Sequence, residues 1–139
     1  VRFEFMSWDE KIAALGDPQT KAKILSEAND DPHIFVKLVG NNYKNMYVLD
    51  DPIEYLPGPD RCITNLAAAE KRDEEDWLYD YFLTNNGNAL IYIPGANFTD
   101  NIPEILDHPN TVVALGDGGA HVGSICDASA NLYLLSKWV

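Results

Sequence analysis

A carboxylate, an imidazole and a thiol lie close together on one glycine-rich segment near the end of the chain. Asp117 follows the apolar run 112–115 and a single glycine, His121 comes four residues later, and Cys126 comes nine residues later. Two glycines after Asp117 allow the backbone there to bend sharply or to take a positive φ. An ionisable side chain just past the carboxyl end of a buried strand is where α/β enzymes place their catalytic groups. The segment therefore predicts a catalytic or metal-binding loop.

Each of these side chains also has a structural interpretation. A turn Asp stabilises a Gly-rich loop through its own backbone, His121 could be a loop histidine, and Cys126 could be a small buried hydrophobe. The other two histidines, His33 and His108, are interpreted as structural, and His108 directly precedes a proline.

This segment resembles a known family. The run 115–126, Leu-Gly-Asp-Gly-Gly-Ala-His-Val-Gly-Ser-Ile-Cys, resembles the last barrel strand of the N-acyl-D-amino-acid deacylases (D-aminoacylases), which belong to the amidohydrolase superfamily. Those enzymes usually have Ser before the Asp, where this chain has Gly116. The likeness extends over most of the chain, through segments 51–57, 78–83, 86–92, 108–112 and 133–138.

The resemblance implies metal-dependent hydrolysis of the amide bond of N-acyl-D-amino acids or related amides, with zinc or another divalent metal in the full-length parent. It implies that Asp117 is the catalytic carboxylate and a metal ligand, and that Gly118, Gly119 and His121 line the substrate pocket or hold Asp117. In such enzymes the metal lowers the pKa of a bound water. The carboxylate takes the proton of that water and passes it to the leaving amine.

The ligand set within this chain is too small for a complete metal site. The family uses a His-x-His after its first barrel strand, and the three histidines here form no such pair. Catalytic zinc has about three protein ligands. We therefore expect no metal in this chain alone, and we interpret the chain, which starts on Val1, as an incomplete and inactive C-terminal part of a TIM-barrel-type amidohydrolase. The alternative is a stand-alone interaction or structural domain without catalysis.

Composition limits the partners. The 139 residues amount to one domain, and 46% hydrophobic residues suffice for a core. A net charge of −12 disfavours nucleic acid, and no apolar run reaches the roughly 18 residues of a membrane helix. Cys62 and Cys126 form no CxxC pair and indicate reduced thiols of a cytoplasmic protein, with a disulfide between them as the alternative. The expected partners are a small-molecule amide, the remainder of the parent barrel and further copies of the chain.

Residues 1–87 are predicted to be mainly helical. Ser7 to Glu10 matches a capping box, Asp17-Pro18 begins a second helix that runs to about residue 29, and Asp60 caps a third. A fourth helix begins at Asp73, with the acids of 73–76 as a solvated first turn, and ends at 85–87; its predicted buried face is Trp77, Leu78, Tyr81 and Phe82. Residues 34–39 fit either a strand or a buried helix, and 46–49 are predicted to be extended.

Residues 88–139 are predicted to form strand, helix, strand and helix, with strands at 89–93 and 111–115. The two helices begin at Asp100 and near Ala128, and their predicted inward side chains are Ile102, Ile105, Leu106, Leu132, Leu135 and Trp138. Strand–helix–strand at this spacing is a βαβ unit, so the two strands should be parallel. The predicted fold class is α/β: a mostly helical fragment with a small parallel strand pair, folded as one compact unit.

Overall fold

The computed structural model describes residues 3–27, 40–49, 54, 56–94, 102–113 and 130–137. The chain divides into two compact units, residues 1–95 and 96–139. Among the described residues of the first unit, the helices are α1 (Trp8–Leu15), α2 (Pro18–Ser26), α3 (Ile63–Ala69) and α4 (Glu74–Gly87), and the strands are β1 (Tyr47–Leu49) and β2 (Leu90–Tyr92). Short 3₁₀ helices lie at Phe3–Phe5, Tyr43–Asn45 and Pro59–Arg61.

The first two helices begin where their capping residues predict. The Ser7 hydroxyl accepts a hydrogen bond from the Glu10 amide, and the Ser7 amide donates to the Glu10 carboxylate at 2.8 Å, so the capping box is confirmed. The Asp17 carboxylate accepts from the Thr20 amide at 2.8 Å, with Pro18 at the first helical position. These bonds satisfy amides that have no partner within the helix. The second helix ends at Ser26, earlier than predicted.

The predicted cap at Asp60 is wrong. Asp60 lies inside the 3₁₀ helix Pro59–Arg61, and α3 begins two residues after that turn. Cys62 occupies the N-cap position and makes no side-chain capping bond. Pro59 pre-sets a helical φ, so the chain turns at once, and Asp60 is not the residue that precedes the α-helical repeat.

Within the described residues, the core of the first unit lies between α3, α4 and the sheet. Its buried members are Met46, Ile63, Ala67 and Trp77, and Trp77 stacks on Tyr81 with ring centroids 5.4 Å apart. The start of α4 is confirmed, because the Asp73 carboxylate accepts from the Glu75 amide at 3.0 Å. The predicted burial of Phe82 is wrong, since its side chain is 39% exposed.

The end of α4 is marked by a left-handed turn. Thr84 is extended, and Asn85, Asn86 and Gly87 then take φ values of 50°, 54° and 75°. Asn and Gly are the residues that tolerate this region best. The predicted stop at 85–87 is therefore confirmed, and α1 packs over this turn: Nε1 of Trp8 donates to the Asn86 carbonyl at 2.8 Å.

The described strand pair is antiparallel, so the predicted parallel pair is wrong. β2 pairs with β1 in the register Tyr47↔Tyr92, Val48↔Ile91 and Leu49↔Leu90. The extended segment 46–49 is confirmed as β1, whereas residues 111–113 are not in a strand. An apolar β-branched run signals an extended segment but not its partner, and β2 pairs with a strand from before α3 and α4 rather than with the next apolar run along the chain. The ambiguous segment 34–39 and His33 lie outside the described residues.

The described parts of the second unit are α5 (Ile102–Leu106), the following segment to Val113, and α6 (Ala130–Lys137). Both predicted helices are present, although their predicted starts at Asp100 and near Ala128 lie outside the described residues, as does Trp138. Three side chains predicted to face inward are exposed: Ile105 by 45%, Leu132 by 72% and Leu135 by 63%. These predictions are wrong because helical periodicity identifies an apolar face but not what covers it. No helix in the described parts of the chain is long and apolar enough to cross a membrane.

Candidate functional site

The predicted catalytic loop lies outside the described residues. Asp117, Gly118, Gly119, His121 and Cys126 all fall between Val113 and α6. Their roles as catalytic carboxylate, metal ligand or pocket lining therefore stay predictions. The structure describes the segments that enter and leave this loop.

The segment that leads to the loop contains a turn at His108. After α5, Nδ1 of His108 accepts a hydrogen bond from the Asn110 amide at 3.2 Å, and the His108 carbonyl accepts from the Thr111 amide at 2.9 Å. The imidazole thus helps to build the turn that leads to residues 111–113. This placement fits the structural interpretation of His108.

A cluster of charged side chains in the described part of the first unit joins α2 to α4. Nζ of Lys21 lies 2.5 Å from Asp76 and 2.8 Å from Asp80, and Nη2 of Arg72 contacts both carboxylates, Asp76 at 2.6 Å. Nη1 of Arg72 also lies 3.5 Å from Glu70. All of these side chains are partly exposed.

The cations keep both aspartates ionised. Hydrogen bonds from Lys21 and Arg72 lower the pKa of Asp76. Burial would raise the pKa of Asp80, but hydrogen bonds from the same two cations outweigh it and lower that pKa as well. A general base needs a pKa near the working pH, so a lowered carboxyl pKa points to a structural role. We describe the cluster as an ionic clamp between helices.

Sequence reasoning missed this clamp because it assigned the acids of 73–76 to a solvated helix start. Arg72 and Asp76 stand four residues apart, a spacing at which opposite charges pair, and Arg72 lies just before the Asp73 N-cap of α4. Asp80 follows Asp76 by one more turn of α4. Lys21 is the one member that no local spacing could have identified, because it comes from a different helix.

Other acids at the start of α4, and Glu70 at the end of α3, also accept side-chain hydrogen bonds. The Tyr43 hydroxyl donates to the Glu75 carboxylate at 3.1 Å, the Thr64 hydroxyl donates to Glu74, and Nε1 of Trp77 donates to Glu70 at 2.9 Å. Burial, followed by the bond to Glu75, raises the pKa of Tyr43. This tyrosine is a protonated hydrogen-bond donor and not a base.

Cys62 is a buried thiol without a disulfide partner. Its Sγ donates to the carbonyl oxygens of Tyr43 and Lys44, each at 3.4 Å. Reactive thiols sit in accessible, electropositive surroundings, and this one is enclosed among carbonyls. Within the part of the chain that the structure describes, no three His, Cys, Asp or Glu side chains are grouped to hold a metal ion.

Comparisons with protein-family models, with curated proteins and with solved structures give no match to this chain. The family resemblance therefore rests on the sequence segments described above.

Proposed function

We propose that this chain is part of a metal-dependent amidohydrolase that hydrolyses the amide of N-acyl-D-amino acids or related amides. The observation that carries the proposal is the segment Leu-Gly-Asp-Gly-Gly-Ala-His at 115–121, in which Asp117 follows an apolar run and precedes two glycines. Asp117 is the general base and acid of the reaction. His121, Gly118 and Gly119 line the substrate pocket or hold the Asp117 carboxylate.

The proposed chemistry moves one proton through Asp117. Its carboxylate takes a proton from the attacking water and returns it to the amine as the carbon–nitrogen bond of the amide breaks. A bound divalent metal supplies a water of lowered pKa. Asp117 and His121 are fewer than the roughly three protein ligands of a catalytic zinc, so the remaining ligands must come from the parent barrel. The chain alone is proposed to be inactive.

The second unit supplies a reason to expect a neighbouring structure. Its described part exposes large apolar side chains, namely Ile105, Val112, Val113, Leu132 and Leu135, of which Val112 is 85% exposed. Exposed apolar groups of this size favour burial against another protein surface. We assign that surface to the remainder of the parent barrel.

The free thiol of Cys62 favours a reducing compartment, and we propose that the parent is a cytoplasmic protein.

The same exposed side chains favour a second candidate, a stand-alone interaction or structural domain that keeps the glycine-rich loop only for folding. The two candidates differ in what precedes the chain. A His-x-His upstream in the same reading frame supports the enzyme, whereas a start codon directly before Val1 supports the interaction domain.

The enzyme is tested by assaying the full-length parent on paired N-acetyl-D- and N-acetyl-L-amino acids. We expect release of the free amino acid from the D series, loss of activity after chelation, and recovery on adding zinc. Absence of hydrolysis on both series by a folded, zinc-supplied parent would contradict the proposal.

A further inference from the structure

The left-handed turn after α4 carries an Asn-Gly dipeptide with an unusually constrained carbonyl. The Asn86 carbonyl accepts from Nε1 of Trp8 at 2.8 Å and from Nδ2 of Asn88 at 3.2 Å. Gly87 follows in the left-handed region and lies against Trp8 and Ile12 of α1. The Asn86 side chain itself is exposed.

Asn-Gly sequences deamidate spontaneously, without an enzyme. The backbone nitrogen of the glycine attacks the side-chain amide carbon of the asparagine, and a new carbon–nitrogen bond closes a five-membered succinimide. The bond from that carbon to the side-chain nitrogen breaks, the proton of the glycine N–H is transferred through solvent to the departing nitrogen, and ammonia leaves. Solvent water then opens the ring to aspartate or isoaspartate. Glycine favours the attack because it has no side chain to hinder the nitrogen.

The folded turn holds the two reacting atoms apart. Asn86 has ψ of 42°, which places the Gly87 nitrogen nearly anti to the Asn86 Cβ. Ring closure needs the nitrogen on the same side as Cβ, so the peptide plane must rotate. That rotation carries the Asn86 carbonyl away from Trp8. The reaction therefore requires the contact between α1 and the turn to open first.

We propose that Asn86 is a site of spontaneous deamidation and that the docking of α1 through Trp8 controls its rate. In the docked state the reaction is blocked by geometry. In the open state Asn86 reacts at the rate of an unstructured Asn-Gly peptide. The observed rate is then the intrinsic rate multiplied by the open fraction, because opening and closing are far faster than ring formation.

The modification would make the opening permanent. Isoaspartate routes the main chain through the former side chain and adds one carbon to the backbone between Thr84 and Gly87. The carbonyl can no longer lie under Nε1 of Trp8 while Gly87 keeps its place against Ile12. The product also adds a negative charge to a chain that already carries −12. The predicted result is a chain in which α1 no longer docks on the turn.

The test follows deamidation at Asn86 by peptide mass mapping, with isoaspartyl methyltransferase to detect isoaspartate, in warm and mildly alkaline buffer. The samples are the wild-type chain, Trp8→Phe, which keeps an aromatic ring but lacks the donor, and a synthetic peptide covering 84–91. We expect the wild type to react more slowly than the peptide and Trp8→Phe to react about fivefold faster than the wild type, as loss of one net hydrogen bond predicts.

Tyr43→Phe is the matched control, because it removes a hydrogen bond to Glu75 elsewhere in the same unit. An unchanged rate in Tyr43→Phe supports control by the Trp8 contact, whereas an equal increase in both variants would overturn it. If Trp8→Phe does not fold, the deamidation rate of the wild-type chain is measured instead, in urea at concentrations below its unfolding transition. A rate already equal to that of the peptide, or no modification where the peptide reacts to completion, would also overturn the proposal.

Discussion

Both the backbone conformation and the neighbouring side chains require glycine at position 87. Its φ of +75° lies in the region that L side chains rarely adopt, and an added Cβ would overlap Cδ1 of Ile12 and lie 2.9 Å from Cζ2 of Trp8. The same residue therefore permits the turn and lets α1 approach it. Few positions in the described chain combine these two demands.

Gly87→Ala is expected to destabilise the first unit by at least about 1–2 kcal/mol, because the left-handed backbone and the overlap with α1 both oppose the new methyl group. Urea denaturation followed by circular dichroism measures the loss. Gly16→Ala is the control, since Gly16 has φ of −74° and an ordinary backbone conformation. A loss for Gly87→Ala no larger than that for the control would show that the turn adapts.

The ionic clamp predicts acid-sensitive stability. The pKa values of Asp76 and Asp80 are lowered in the folded chain, so their ionised forms stabilise it. This contribution is present above the unfolded-state value near about pH 4 and is lost as the pH falls through the folded values. We expect the free energy of unfolding to decrease as the pH drops below about 4, and Asp76→Asn to flatten that decrease.

Asp9→Asn, an exposed position on α1 outside the clamp, serves as the control for this pH experiment. Each variant loses one carboxylate, but only the carboxylate of Asp76 belongs to the clamp. The same pH dependence in wild type and Asp76→Asn would contradict the claim that the clamp makes the stability sensitive to acid.

At the scale of elements, capping residues predict helix starts well where they are directly followed by a helical repeat. Ser7, Asp17 and Asp73 fulfil this condition, and each makes its capping bond. Asp60 does not, because Pro59 and the 3₁₀ turn intervene. The strand pairing failed for a different reason: local pattern carries no information about which distant extended segment becomes the partner. The candidate catalytic loop is defined by sequence alone, since its residues lie outside the described ranges.

The capping difference is directly testable. Ser7→Ala and Asp17→Ala should each cost about 1 kcal/mol of stability, because each leaves helix amides without their side-chain acceptor. Asp60→Ala should change stability by less than about 0.5 kcal/mol, as is usual for surface substitutions away from such features. Thermal and urea unfolding of the three variants provide the comparison. Equal losses in all three would mean that Asp60 caps a helix after all.

At the scale of the whole molecule, several large apolar side chains of the described residues are exposed to water. Leu132 and Leu135 are more than half exposed on α6, and Val112 is almost fully exposed before the predicted catalytic loop. In the proposed parent these side chains are covered by the remainder of the barrel. In the isolated chain they face water and should find another apolar surface.

We therefore expect the isolated chain to self-associate in a concentration-dependent way, as measured by sedimentation velocity. Leu132→Ser combined with Leu135→Ser should shift the chain toward monomer, because it removes apolar area without touching the first unit. Glu104→Ser, an exposed position on α5, controls for a general surface change. A wild-type chain that stays monomeric at all concentrations would contradict this expectation.

The central claim is that Asp117 is the proton-transferring carboxylate of an amidohydrolase, and the kcat of Asp117→Asn in the full-length parent tests it most directly. Asn keeps the size of the side chain but cannot accept the proton of the water, so kcat should fall on the order of 10²–10⁴-fold, with KM and thermal stability nearly unchanged. Asp107→Asn, which removes an exposed carboxylate just after α5, should leave kcat unchanged. A folded Asp117→Asn protein whose kcat stays within a few-fold of wild type would contradict the claim, because a turn aspartate tolerates this change and a catalytic one does not.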